Sequence, residues 1–205
     1  MRISEALQSI RPFFSFEFFP PKTDDGSEQL LETIGALREL RPAFVSITYG
    51  AGGSTRARTI ALAKQIQREL DLTVMAHVTC VGSSRAELRE LFADLAASEI
   101  ENILALRGDP PKGAERFETP VGGFAYAGEL TAMLRRNFDF CLGGACYPEK
   151  HPEALDLDSD LEHLKQKVDA GAEFLVTQLF FDNDKYFEFV RRARAVGITV
   201  PILPG

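Results

Sequence analysis

Apolar residues recur along this chain in two rhythms. Short runs at 14–19, 44–49, 74–80, 102–106, 140–147, 174–179 and 199–203 have the length and the aromatic or β-branched content of strands. Between them the spacing becomes helical. Leu30, Leu31, Ile34, Leu37 and Leu40 form one stripe, Leu88, Leu91, Phe92 and Leu95 another, and Tyr186, Phe187 and Val190 a third. Helix starts are marked by Ser84 with Glu87 three residues on, which is the spacing of a capping box, and by Ser27, Ser54 and Asp184. Strands alternating with helices predict right-handed βαβ units and a parallel sheet.

Such a sheet is either open or closed into a barrel. An open dinucleotide-binding sheet carries a Gly-rich turn after its first strand, whereas Pro20 and Pro21 stand there. The pattern therefore predicts an α/β fold of the (β/α)8 TIM-barrel type. Eight strands usually need about 250 residues, and this chain of 205 reaches Gly205 as a seventh run ends. The expectation is a single barrel domain over 1–205, truncated after its seventh strand and leaving two sheet edges uncovered.

Composition narrows the partners. With 45% hydrophobic and 26% charged residues the chain can bury a real core. A net charge of −7, with no run of Lys or Arg, argues against nucleic acid. No apolar segment approaches the ~20 residues that span a bilayer. The opening Met-Arg-Ile-Ser-Glu lacks a signal core, so the expected location is cytoplasmic. Cys80, Cys141 and Cys146 lie in apolar runs without metal-ligand spacing and read as buried thiols.

In a barrel, chemistry gathers at the C-terminal strand ends. The first run places Glu17 on the face opposite Phe14, Phe16 and Phe18, together with Ser15 and Phe19. A half-desolvated carboxyl there would hold a proton near neutral pH, as a general acid must; a structural ion pair is the competing reading. Later strands end in Thr48 and Tyr49, His77 and Thr79, Arg107, Gly108 and Asp109, Tyr147 followed by His151, and Gln178. Any one of these could be a packing or ion-pairing residue. Polar groups at six successive strand ends would be costly to bury without a ligand. No metal site is expected, since His77 and His151 lack ligand spacing. The loop at 49–55, with Gly50, Gly52 and Gly53, could turn backbone N–H groups toward an anion.

Seven stretches, in order, resemble the methylenetetrahydrofolate reductase family. They are Ser15-Phe16-Glu17-Phe18-Phe19-Pro20-Pro21, Val45-Ser46-Ile47-Thr48-Tyr49-Gly50, His77-Val78-Thr79-Cys80 and Ala105-Leu106-Arg107-Gly108-Asp109, then Tyr147-Pro148-Glu149-Lys150-His151-Pro152-Glu153, Lys167-Val168-Asp169-Ala170-Gly171-Ala172 and Thr177-Gln178-Leu179-Phe180-Phe181-Asp182. The resemblance implies a flavoprotein that reduces 5,10-methylenetetrahydrofolate to 5-methyltetrahydrofolate, with FAD relaying hydride from NADH or NADPH. It implies Glu17 as proton donor for opening the folate ring, Asp109 as the charge beside flavin and pterin, and Gln178 as a pterin contact. For FAD it implies Thr48, Tyr49, His77, Arg107, Gly108, Asp109, Tyr126, Ala127, Tyr147, His151, Ala154, Asp160 and Lys167, with Arg107 and Lys167 pairing with the pyrophosphate.

The implied partners are thus the folate and the nicotinamide cofactor, with no nucleic acid and no membrane, and a homo-oligomer at full length. Gln166, His163 and a lengthened loop at 112–124 depart from the bacterial pattern. Two other readings stand beside this one: a non-catalytic flavin-binding fragment, and a flavin-free folate-dependent barrel enzyme.

Overall fold

Seven strands run parallel in one sheet whose spatial order repeats the chain order. In the computed structural model, which describes residues 1–9, 12–49, 56–110, 113–114 and 116–205, they are β1 (Ser15–Phe18), β2 (Phe44–Ile47), β3 (Val74–Thr79), β4 (Asn102–Leu106), β5 (Cys141–Cys146), β6 (Phe174–Thr177) and β7 (Ile202–Leu203). A short helix, α1 (Ile3–Ser9), precedes β1. The crossovers carry α2 (Asp24–Leu37), α3 (Arg56–Leu70), α4 (Arg85–Ala97), α5 (Ala127–Asn137), α6 (Leu157–Asp169) and α7 (Asn183–Ala195).

Sequential order without reversal is barrel winding, not the doubly wound sheet. The sheet curls but does not close, and among the described residues neither β1 nor β7 has a second neighbour. Curvature is visible in the inner face. Phe44, Met75, Leu104, Cys141 and Phe174, from five successive strands, meet in one buried cluster. A flat sheet would hold them apart.

The N-terminal end of this interior is plugged by α1, which inserts Ile3 and Leu7 into the same cluster. The Ile3 N–H donates to Asn102 Oδ1 at 2.8 Å, and Asn102 Nδ2 donates to the carbonyls of Met1 at 3.1 Å and Val74 at 3.3 Å. Asn102 is thereby satisfied while buried, as such a group must be. The plug leaves the opposite, C-terminal end of the strands as the open mouth.

On the outer face, Val45, Ile47, Val78, Ile103 and Leu142 pack against Ile34, Ile60, Ile66, Leu88, Phe92 and Leu134 from the helices, and Phe16 and Phe18 join the margin. A smaller cluster sets Leu175 and Cys146 against Leu161, Leu164, Phe189 and Ala193. All three cysteines are free and buried. No described helix is long and apolar enough to cross a membrane.

Several expected details differ. Ser84 and Glu87 form the capping box. Ser27, however, lies inside α2, whose cap is Thr23, with Oγ1 accepting from Gly26 N at 3.1 Å. α7 is capped by Asp182, two residues before Asp184, and buries Phe189 and Ala193 while Phe187 faces solvent. Leu40 is exposed in a 3-10 turn that extends α2. Ser54 and all of the glycine loop beyond Tyr49 lie outside the described residues, as do parts of the 112–124 loop.

Candidate active site

Register brings the first functional group together. Glu17 on β1 pairs with Ser46 on β2, and Ser46 with Met75 on β3. Side chains alternate along a strand, so His77, two residues past Met75, shares the inner face with Ser46 and Glu17. Ser46 Oγ donates to Glu17 Oε2 at 3.3 Å. His77 Nε2 stands 3.6 Å from the same oxygen.

That separation is too long for a hydrogen bond, and it is no ion pair either. His77 is only 5% exposed, and burial pushes its pKa down to about 4, which leaves the ring neutral near pH 7. Desolvation displaces the Glu17 pKa upward, and the Ser46 hydroxyl works against that displacement. β1 is an edge strand here, so half of the Glu17 side chain still meets solvent. The opposed faces expected for β1 are observed, since Phe16 and Phe18 turn to the helices.

Towards the C-terminal ends of β2 and β3, three buried polar atoms have no hydrogen-bond partner among the described residues. They are His77 Nε2, which is the one that stands near Glu17, Thr79 Oγ1 and Tyr49 Oη. Burial pushes the Tyr49 phenol up to about 12, against the pull of Arg56. Thr48 is fixed by its backbone: its N–H donates to the Phe18 carbonyl at 2.9 Å, and its own carbonyl accepts from the Thr59 hydroxyl at 3.0 Å. Gly108 closes this wall from β4. Its φ of +89° suits glycine, and a Cβ there would stand 2.9 Å from Thr79 Cβ.

A second cluster occupies the ends of β4 and β5. Arg107 makes a two-pronged pair with Glu153, at 2.6 and 2.7 Å, and lies 4.9 Å over the Phe117 ring. Tyr147 and His151 meet edge to face with centroids 4.7 Å apart. The His151 N–H donates to Asp160 Oδ2 at 2.9 Å, and its Nδ1 accepts from Glu153 N at 3.1 Å. Burial, and then the nearby Arg107, lower the His151 pKa. Ala154 N–H closes the turn on the His151 carbonyl at 3.0 Å.

Lys167 reaches this region from behind. Its stem crosses Gly144, where a Cβ would lie 2.7 Å from Lys167 Cδ, and its ammonium donates to the Ala145 carbonyl at 2.7 Å. Burial lowers its pKa. Tyr126 is exposed ahead of α5, and Ala127 is buried as the first residue of that helix. Asp109 is exposed and caps no helix, because α5 begins only at Ala127. Gln178 is exposed too, with Oε1 accepting from Leu179 N at 2.9 Å.

The structure thus joins Glu17 with His77, and Arg107 with the Tyr147, His151 and Asp160 turn. Among the described residues no hydrogen bond links these two groups, or brings Lys167 or Gln178 to either of them. Two participants were missing from the expected set, Ser46 and Glu153. Strand parity carried the signal for Ser46, which sits beside Thr48 in the alternation; nothing in the sequence signals that Glu153 engages Arg107. A groove of about 850 Å³ runs between Leu31 of α2 and Arg58, Leu62 and Gln65 of α3 and reaches Pro21 and Lys22 after β1.

Similarity to known proteins agrees with this geometry. Residues 2–205 match the family model described as methylenetetrahydrofolate reductase. A 5,10-methylenetetrahydrofolate reductase of Pectobacterium carotovorum is 44% identical over 191 residues, covering 93% of this chain and 62% of that protein. Methylenetetrahydrofolate reductase (NADH) 1 of Arabidopsis thaliana is 40% identical over 220 residues, covering 100% of this chain and 37% of that protein. The chain therefore spans less than two thirds of either relative. In fold it resembles an uncharacterized protein from Clostridium thermocellum that binds two copies of 5-methyl-5,6,7,8-tetrahydrofolic acid, with a TM-score of 0.59, 17% identity, and coverage of 98% of this chain and 67% of that one. With a family match over essentially its whole length and relatives above 40% identity, this chain belongs to the methylenetetrahydrofolate reductase family.

Proposed function

We propose that this chain forms the flavin-binding part of an enzyme that reduces 5,10-methylenetetrahydrofolate to 5-methyltetrahydrofolate with NADH or NADPH. The observation that carries the reading is the set of three buried atoms without partners among the described residues, His77 Nε2, Thr79 Oγ1 and Tyr49 Oη, the first of them 3.6 Å from the Glu17 carboxyl. Polar atoms buried without partners are rare and destabilising, and the hydrogen-bonding edge of an aromatic cofactor would satisfy them. On that ground the residues fit FAD.

FAD when bound supplies hydride relay between the nicotinamide and the folate. The chain supplies the rest. Tyr49, His77 and Thr79 orient the ring system, and Thr48, Gly108 and Ala127 shape the wall without side-chain bulk. The Tyr147, His151, Ala154 and Asp160 turn and the exposed Tyr126 border the remainder of the cofactor.

Arg107 and Lys167 are the cations for the pyrophosphate. Arg107 can serve only by exchanging its Glu153 partner for phosphate oxygens, to which its planar fork is equally suited. Glu17, its pKa raised by desolvation, holds the proton that opens the folate ring. Asp109 places negative charge beside the reacting centre, and Gln178 offers its amide to the pterin.

The test is flavin binding. The purified protein should be yellow, or turn yellow when given FAD, and Tyr49→Phe with Thr79→Val should weaken FAD binding at least tenfold in a fluorescence titration. A protein that takes up no flavin under any loading condition contradicts the reading and favours flavin-free folate chemistry.

A further inference from the structure

Ser46 has no role in the scheme so far, yet its hydroxyl makes the sole hydrogen bond to the Glu17 carboxyl among the described residues. It is 3% exposed, lies directly across from Glu17 in the β1–β2 register, and points its hydroxyl at Oε2 from 3.3 Å. The same oxygen is approached by His77 Nε2 at 3.6 Å. Oε2 is therefore crowded by two polar neighbours, and no described donor or acceptor engages Oε1.

We infer that Ser46 is the positioning residue for Glu17: its hydroxyl fixes Oε2 as the hydrogen-bond acceptor, so that the transferable proton is carried on Oε1 and faces the open mouth. The inference rests on the reading of Glu17 as the acid.

A protonated carboxyl has one O–H donor and one carbonyl oxygen that accepts. While Ser46 Oγ–H donates to Oε2, as it does here, Oε2 is the carbonyl oxygen and the proton of the acid sits on Oε1; the reverse arrangement, Oε2–H donating to Ser46 Oγ, would leave Oε1 a free carbonyl. When Glu17 gives Oε1–H to the departing ring nitrogen of the folate, the C–N bond breaks towards that nitrogen and the carboxyl becomes a carboxylate. The Ser46 bond then becomes charge-assisted and stronger. A donor that binds the anion better than the acid favours release of the proton, the sense in which Ser46 opposes the desolvation of Glu17.

The other groups facing this carboxyl do not duplicate the effect. From β3 the titratable neighbour is His77, held neutral; β1 has no further titratable residue; and no described Lys or Arg pairs with Glu17. Tyr49, beyond the end of β2, stays protonated.

The experiment uses the flavin-loaded protein and the variants Ser46→Ala, Ser46→Thr and Glu17→Gln. Infrared difference spectra, with the Glu17 band assigned by its loss in Glu17→Gln, report the protonation of this one carboxyl without any turnover. In Ser46→Ala the Glu17 titration should move up by about half to one pH unit. The acid-dependent limb of the folate half-reaction should move with it, and the rate should drop about tenfold, the low end for a misplaced general acid. Ser46→Thr, which keeps the hydroxyl, should restore the titration.

A Ser46→Ala titration identical to that of the unaltered protein overturns the inference, even if the rate falls. Should the Ser46 variants not fold, the unaltered protein and Glu17→Gln still decide. The C=O stretch of protonated Glu17 must lie at the lower frequency of a carbonyl that accepts a hydrogen bond, and a free-carbonyl frequency overturns the inference. If Glu17→Gln leaves the folate half-reaction intact, the acid reading fails, while the infrared titration still reports whether Ser46 holds the carboxyl.

Discussion

His77 shows how one buried ring can tie stability to pH. Its pKa falls from the ordinary 6.5 to about 4 because burial penalises the imidazolium. The folded protein thus binds fewer protons than the unfolded chain between those values, and stability is lost as pH falls through that window. The difference corresponds to about 3 kcal/mol by pH 4, at roughly 1.4 kcal/mol per pH unit. His77→Gln removes the titrating group but keeps its approximate length. Urea denaturation from pH 7 to pH 4 should therefore show the unaltered protein losing about 3 kcal/mol relative to His77→Gln. A constant difference across that range would mean that the ring is solvated, and that the unpartnered Nε2 is not buried as described.

At the scale of elements, the strands were legible and the caps only partly so. The seven runs stand out because a parallel strand covered on both faces is largely apolar; β2 and β3, buried along their whole length, depart from that only at Ser46, His77 and Thr79. The alternation around Glu17 was legible for the opposite reason: β1 is half covered, and Phe16 and Phe18 mark the covered face. α1 was missed because seven residues are too few to display a helical period, and its role as a plug depends on Asn102, about a hundred residues away.

The caps of α2 and α7 were misread by a few residues, since Thr23 and Asp182 compete with equally plausible neighbours and only the path of the preceding chain selects between them. The Arg107–Glu153 pair is likewise set by how the turn after β5 folds back. The capping box of α4 was readable from spacing alone. Ser84 Oγ accepts from Glu87 N at 3.3 Å, and Glu87 Oε2 accepts from Ser84 N at 2.7 Å. Ser84→Ala should cost about 1 kcal/mol and lower Tm by roughly 2–4 °C. An unchanged Tm would show that α4 is held by Leu88, Phe92 and Leu95 without its cap.

For the whole molecule, the curled parallel sheet gathers the candidate residues at one end. α1 fills the N-terminal end of the interior with Ile3 and Leu7, and the candidate residues stand at the opposite, C-terminal end of the strands. There Glu17 on β1 meets His77 on β3, and Arg107 after β4 meets the Tyr147 and His151 turn after β5 through Glu153. On the proposed reading, flavin contacts spread over several strands and an acid on the edge strand separate two tasks, holding the flavin and protonating the folate. The claim is tested most directly by rapid-mixing kinetics on Glu17→Gln in the flavin-loaded protein, with the two half-reactions followed separately through the flavin absorbance. The account predicts that reduction of the flavin by nicotinamide stays within about threefold of normal while its reoxidation by methylenetetrahydrofolate slows by about 10²–10⁴-fold, the usual worth of a general acid. Reoxidation slowed less than tenfold, or both half-reactions slowed alike, would contradict it.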